Sequence, residues 1–322
     1  MALDSAFAAG VSERLEGIEW QLRESAFART PFVTEAAQHI INAGGKRFRP
    51  LLVVLASQLY PPADPGQVDR AALVVELTHV ASLYHDDVMD DADLRRGATS
   101  ANRLYDNSIA IMIGDFLFAR ASSIVATLGT DYVALQAETF ARLVQGQIAE
   151  TRGPQGGEDP LAHYLGVVAD KTGSLIATSA VFGGMVAGAG PDVLAALDAF
   201  GEEIGVVFQL SDDVIDIASE VTGKTPGTDL REGVPTLPTL MARASNDPAD
   251  ARLHELLAGQ IEDADTVAEA LELMRVHPAL EQARAEISRR AAVAKEYLRP
   301  LPEGEAKQAL LALCDQVVSR SS

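Results

Sequence analysis

Cysteine is nearly absent from this chain: Cys314 stands alone among 322 residues. That excludes an intrachain disulfide and a cysteine zinc cluster, and it points to a reducing, cytoplasmic setting. Aromatic residues make up only 5% of the sequence, so Ala, Leu and Val must supply most of the core. Basic residues are outnumbered, 26 Lys and Arg against 46 Asp and Glu, for a formal charge of −20. A chain with that balance offers no broad basic face, which argues against nucleic acid and anionic membrane surfaces as partners. The opening residues MALDSAFAAG lack a basic segment followed by an apolar core, so no secretory signal is expected. Long uncharged runs are equally rare. Residues 172–191 form one, and its many small residues, with Thr178 and Ser179 among them, suit a buried bundle helix rather than an integral membrane segment.

Proline is missing from long spans: none falls between Pro65 and Pro154, between Pro160 and Pro191, or from there to Pro226. Within these spans Ala, Leu, Val, Glu and Gln recur at helical spacing, and no run alternates long enough to read as a strand. Breaks are expected at Gly44-Gly45 and within 61–65, 97–100, 129–131, 153–160, 223–227 and 300–304. The intervals are too irregular for a solenoid, and no linker of disordered composition interrupts them. A single all-α domain over residues 1–322 is the expectation.

What the chain does contain is one acidic pattern twice, Asp86-Asp87-x-x-Asp90 and Asp212-Asp213-x-x-Asp216. With 24 Asp in 322 residues, chance predicts about 0.13 copies. At about 100° per residue, Asp86 and Asp90 lie almost in line on a helix, with Asp87 one step round, and the second motif repeats this. Two such clusters facing one cavity would hold hard cations, Mg²⁺ above all, together with the phosphate oxygens of a substrate. An acidic protein repels phosphates, so local cations have to reverse the field. Gly44-Gly45-Lys46-Arg47-Phe48-Arg49 places three before an apolar stretch, and Arg95-Arg96 follows the first acidic motif. Read alone, each is an ordinary solvated basic turn. His79 and Ser82 share a face with Asp86. No His-x-x-x-His pair here suggests zinc; diphosphate binding suits His79, and a structural role suits His85.

Taken in order, Gly45-Lys46 and Arg49, His79-x-x-Ser82-x-x-His85-Asp86-Asp87-x-x-Asp90, Arg95-Arg96-Gly97, Gly114-Asp115, Gly146-Gln147, Lys171-Thr172, Phe208-Gln209-x-x-Asp212-Asp213-x-x-Asp216 and Gly223-Lys224 resemble the polyprenyl synthetase family of all-trans isoprenyl diphosphate synthases. The match spans roughly residues 40–240. The resemblance implies an antiparallel α-helical bundle around a deep cavity (the isoprenoid synthase fold), a homodimer, and three Mg²⁺ ions. It implies metal ligation by Asp86, Asp90 and Asp212, with Asp87, Asp213 and Asp216 acting through water and hydrogen bonds. It assigns Arg95, Lys171 and Lys224 to an allylic diphosphate, and Gly45, Lys46, Arg49, His79 and Arg96 to isopentenyl diphosphate. Thr172 and Gln209 would sit near the reacting carbons; Gln147 and Glu150 resemble another polar pair lining the cavity.

The implied reaction explains the residue types. An allylic diphosphate ionises, metal ions with Lys and Arg stabilise the departing oxygen, and the isopentenyl double bond attacks the cation. Released diphosphate is the expected proton acceptor. Ala81 and Ser82, fifth and fourth before Asp86, are small where large aromatics in the family stop elongation early. A long-chain product, such as a quinone side-chain precursor, is expected, with Ile124 or Val125 as candidate floor residues. Val234 stands where many members carry Lys, which should weaken the allylic clamp rather than abolish activity. The rivals are a short-chain farnesyl or geranylgeranyl diphosphate synthase, a non-catalytic subunit of a heteromeric synthase, and a class I terpene cyclase. Intact acidic and basic motifs argue against the last two. Asp86→Ala is expected chiefly to lower the rate of substrate ionisation; normal turnover, measured as inorganic diphosphate released, would contradict the metal assignment.

Overall fold

A computed structural model of the chain describes residues 5–218 and 226–320. Helices follow one another as α1 (Ser5–Ser25), α2 (Pro31–Asn42), α3 (Phe48–Ser57), α4 (Pro65–Met89), α5 (Ala101–Tyr105), α6 (Asn107–Val125), α7 (Thr130–Arg152) and α8 (Pro160–Val168). After a π-helical turn, Ala169–Gly173, come α9 (Ser174–Val186), α10 (Pro191–Ala218), α11 (Thr228–Glu232), α12 (Leu237–Arg243), α13 (Ala251–Leu256), α14 (Ala264–Val276), α15 (Pro278–Tyr297) and α16 (Glu305–Ser319). Their starts are written locally. Thr30, Asp64, Asp106, Asp159 and Asp263 each accept a first-turn amide, satisfying donors a helix leaves open. Proline opens α2, α4, α8 and α15, where its missing N–H costs nothing.

The expected breaks fall between helices, although 223–225 lie outside the described residues. The break at 97–100 is the second half of a hairpin with two-residue strands, β1 (Leu94–Arg95) against β2 (Ala98–Thr99), too short to show any alternation in sequence. Further turns fall at 26–30, which has no glycine or proline, at 257–263, which has one glycine, and at 233–236, where Gly233 and Pro235 mark the break.

Two compact units make up the chain, both discontinuous in sequence. The first comprises Met1–Ala141, Leu175–Gly201 and Pro300–Leu310. Its centre is α4, which packs along α6 and against α1 and α3. Between residues 71 and 84 every position of α4 except His79 is buried. The uncharged stretch forms α9, and residues 173–184 are all buried, as its composition suggested. The second unit comprises Arg142–Ser174, Glu202–Arg299 and Leu311–Ser322, with α12 packed on α8 and α15. Arg290 pairs with Glu203 at 3.1 Å there, and Arg275 Nε donates to Ile217 O at 3.0 Å.

Among the described residues two helical stretches, Asn107–Val125 and Pro160–Val186, are long and apolar enough to cross a membrane by length and composition; 67% of the most apolar 18-residue window of the second lies buried within the protein. Close approach of α9 to α3 depends on Gly183, where an added Cβ would lie 2.4 Å from Val53 O and 2.7 Å from the Ala56 Cβ. Backbone on both sides leaves little room to yield. Gly183→Ala is expected to lower the unfolding free energy by roughly 1–3 kcal/mol in denaturant titration, against a gain of up to about 1 kcal/mol for an alanine at open Gly10 within α1.

Candidate active site

The first acidic motif sits where α4 ends. Asp90 is the C-cap, its N–H donating to Asp86 O at 2.8 Å, so Asp86 and Asp90 stand one turn apart at the helix rim. Asp87 turns inward and is fully buried. An ionised carboxylate there needs donors, and it has Arg95 Nε at 2.6 Å and the Ala101 amide at 3.3 Å. The hairpin that carries Arg95 is thereby tied to α4. His85 bonds Ile111 O at 3.1 Å and lies 3.4 Å from the Asp115 carboxylate, a link between α4 and α6.

The basic residues of this unit converge behind the motif. Arg96, in the left-handed region at φ 54°, donates to Gly44 O and to Ile40 O. A Cβ on Gly45 would fall 2.9 Å from its guanidinium, so only glycine lets this backbone lie so near. Burial, and then the neighbouring Arg96, brings the Arg49 guanidinium down to about 10. Burial, with Arg49, Arg96, Arg95 and Arg47 nearby, holds His79 well below the usual histidine range, hence neutral. Gly45, Arg49, His79 and Arg96 thus form one electropositive patch, with Lys46 exposed beside it. Such a patch suits a multiply charged anion. Arg47 faces elsewhere, bonded to Glu19 and Glu76.

The second unit holds the other motif on α10. Lys171 and Thr172 occupy the π-helical turn, an irregularity common at functional positions. Lys171 Nζ pairs with Glu150 at 2.5 Å, and Thr172 Oγ1 donates to Gln209 Oε1 at 3.4 Å. Gln209 Nε2 donates in turn to Asp213 at 3.2 Å. Asp213 is buried like Asp87, and it also accepts from the Tyr164 hydroxyl and, at 3.2 Å, from the Leu237 amide. Burial wins over these donors and pushes its carboxyl up to about 6. Asp216 accepts from the amides of Thr228 and Asp229 at 3.3 and 3.2 Å, anchoring the start of α11. Asp212 pairs with Arg320, which also stands 4.9 Å over the Phe208 ring. Gln147 is buried with its Oε1 lacking a hydrogen-bond partner among the described residues. Lys224 and Gly223 lie outside the described residues.

Among the described residues no three His, Cys, Asp or Glu side chains gather into a ready metal cage. Asp86 and Asp90 at the end of α4, and Asp212 on α10, are each carboxylates, the donor type that a hard divalent cation takes. Residues that pattern alone did not bring forward are Tyr164, Arg320, Glu19 and Glu76. Each meets its partner across 28 residues or more, and no spacing rule reaches that far.

A family model described as polyprenyl synthetase matches residues 30–274. The chain belongs to the polyprenyl synthetase family. It is 45% identical to a nonaprenyl diphosphate synthase of Mycobacterium tuberculosis over 98% of this chain and 95% of that one. A crystal structure of geranylgeranyl pyrophosphate synthase from Corynebacterium glutamicum, complexed with calcium and isoprenyl diphosphate, superposes with TM-score 0.88 at 43% identity and 100% coverage of both chains. A decaprenyl diphosphate synthase from Rhodobacter capsulatus does so with TM-score 0.87 at 31% identity and 98% coverage of both. The chain therefore has the isoprenoid synthase fold and is a trans-prenyltransferase condensing isopentenyl diphosphate with an allylic diphosphate, in a family that depends on divalent metal.

Asp213 gives the metal-free protein a pH signature. A carboxyl raised from 3.8 to about 6 binds its proton more tightly when folded. It therefore contributes stability that is complete below the unfolded value and is lost as pH rises through about 6. Relative to Asp213→Asn, wild-type protein in chelator should gain on the order of 3 kcal/mol between pH 7 and pH 4; parallel melting curves would remove Asp213 as the source.

Proposed function

We propose that the chain makes a long-chain all-trans polyprenyl diphosphate. The observation that carries this reading is the small pair one turn before the first acidic motif. Ala81 and Ser82 are buried, and Ser82 Oγ folds back onto His79 O at 2.8 Å, so neither side chain projects bulk beyond α4. One helical turn rises about 5.4 Å, close to one isoprene unit, so the depth of the first blocking residue sets length in steps. Val125 on α6 is buried and Ile124 half-buried, and both remain floor candidates. The nonaprenyl and decaprenyl names of the relatives agree with a long product. The geranylgeranyl name of the C. glutamicum protein favours a twenty-carbon alternative.

In this reading Asp86, Asp90 and Asp212 are the metal ligands, and Mg²⁺, three ions with substrate bound, is the cofactor. The ions supply Lewis-acid neutralisation of the diphosphate as it departs. Arg95, oriented by Asp87, joins Lys171 and Lys224 on the allylic diphosphate. Gly45, Lys46, Arg49, His79 and Arg96 hold isopentenyl diphosphate, with His79 as a neutral hydrogen-bond partner. The Thr172 and Gln209 dipoles steady the allylic cation, and Asp213 and Tyr164 fix the Gln209 amide. A homodimer fits the exposed apolar side chains Ile111 and Met112 on α6 and Val133 on α7. The family match spans segments of both units, which supports their working as one domain, and the solitary cysteine agrees with the cytoplasm.

Incubation of the purified chain with Mg²⁺, isopentenyl diphosphate and farnesyl or geranylgeranyl primer should yield products beyond twenty carbons by mass. Ala81→Phe should shorten them by whole five-carbon units. Unchanged products would place the floor elsewhere, and a wild-type product ending at twenty carbons would favour the alternative.

A further inference from the structure

The loop bearing Lys46 and Arg49 contains another cation, Arg47, whose surroundings differ from theirs. Arg47 adopts the left-handed conformation (φ 47°, ψ 37°) just before α3, a conformation a side chain holds only when its neighbours enforce it. The enforcement is ionic. Arg47 Nε and Nη2 donate to Glu19 at 2.5 and 3.0 Å, Nη1 donates to Glu76 at 2.8 Å, and Nη2 also reaches Ile41 O at 3.0 Å. Arg47 is 11% exposed and Glu76 only 2%. Burial alone would lower Arg47, but the two carboxylates outweigh it and leave it raised.

Glu76 lies three residues before His79 on α4, behind the electropositive patch. Its charge reaches beyond Arg47: it offsets the burial of both Arg49 and Arg96, which otherwise repel each other. Buried cations crowded together stay so only if a counter-charge is built in before any anion arrives.

We propose that Glu76, acting through Arg47, is a positioning residue for the isopentenyl diphosphate site, holding the Gly44–Arg49 turn and balancing the arginines that await the substrate. The proposal rests on assigning Gly45, Arg49, His79 and Arg96 to that substrate. Arg47 is then a strut rather than a ligand. Removing the Glu76 charge leaves Arg47 held by Glu19 and Ile41 O alone, removes the counter-charge shared with Arg49 and Arg96, and loosens the turn that sets Lys46 and Arg49.

Steady-state kinetics with each substrate varied in turn test this, on variants whose folding is checked by circular dichroism and melting. Glu76→Gln should raise the KM for isopentenyl diphosphate about tenfold, with kcat and the allylic KM within about twofold. Adding Arg47→Met removes the cation left in excess and should recover most of that loss, a coupling that a packing role for Glu76 would not produce. If Glu76→Gln fails to fold, the half-buried partner Glu19 serves instead, with Glu19→Gln expected to raise the same KM about threefold. Equal effects on both substrates, no effect, or a double variant as impaired as Glu76→Gln would overturn the proposal. Arg96→Ala separates the two levels. An unchanged isopentenyl KM there removes the site assignment and the proposal with it, whereas a raised one beside an inert Glu76→Gln removes only the role of Glu76.

Discussion

Two buried carboxylates, Asp87 and Asp213, organise what surrounds them. A carboxylate shut away from water needs hydrogen-bond donors converging on it, so each imposes an arrangement on its neighbours. Asp87 draws in Arg95 and the Ala101 amide, which sets the hairpin after α4. Asp213 draws in Tyr164, Gln209 and the Leu237 amide, and through Gln209 reaches Thr172 on the π-helical turn. The middle member of each acidic motif is therefore an anchor for the segments around it.

Charge is balanced locally rather than globally. The chain carries a formal −20, yet it must attract substrates that are themselves polyanions. The answer in the first unit is a patch of guanidiniums around neutral His79, backed by the carboxylates of Glu19 and Glu76. Attraction then comes from a few oriented donors at short range, while the acidic exterior is screened within about 8–10 Å at ordinary ionic strength.

Helix positions were largely legible because their signals are local. Proline at a first turn, aspartate at an N-cap and glycine pairs between apolar runs act through neighbouring residues. The buried nature of α9 could be read from its small residues for the same reason. The turns at 26–30 and 257–263 were not read, since little in their composition breaks a helix and tertiary packing ends them. The hairpin at Leu94–Arg95 was invisible because two residues carry no period.

Residue types and their local spacing carry the helical class, the two acidic motifs with their in-line carboxylates, and the run of cations that suits a diphosphate ligand. These properties depend on residue type and on separations of three or four. Folding settles which cations are taken up by carboxylates of the frame and which stay in the patch. Arg47 and Arg49 are two residues apart and chemically identical, yet Glu19 and Glu76, brought in from 28 and 29 positions away, claim the first and leave the second in the patch. Burial and long-range pairing make that distinction, because the energy of a charge depends on its surroundings more than on its place in the chain.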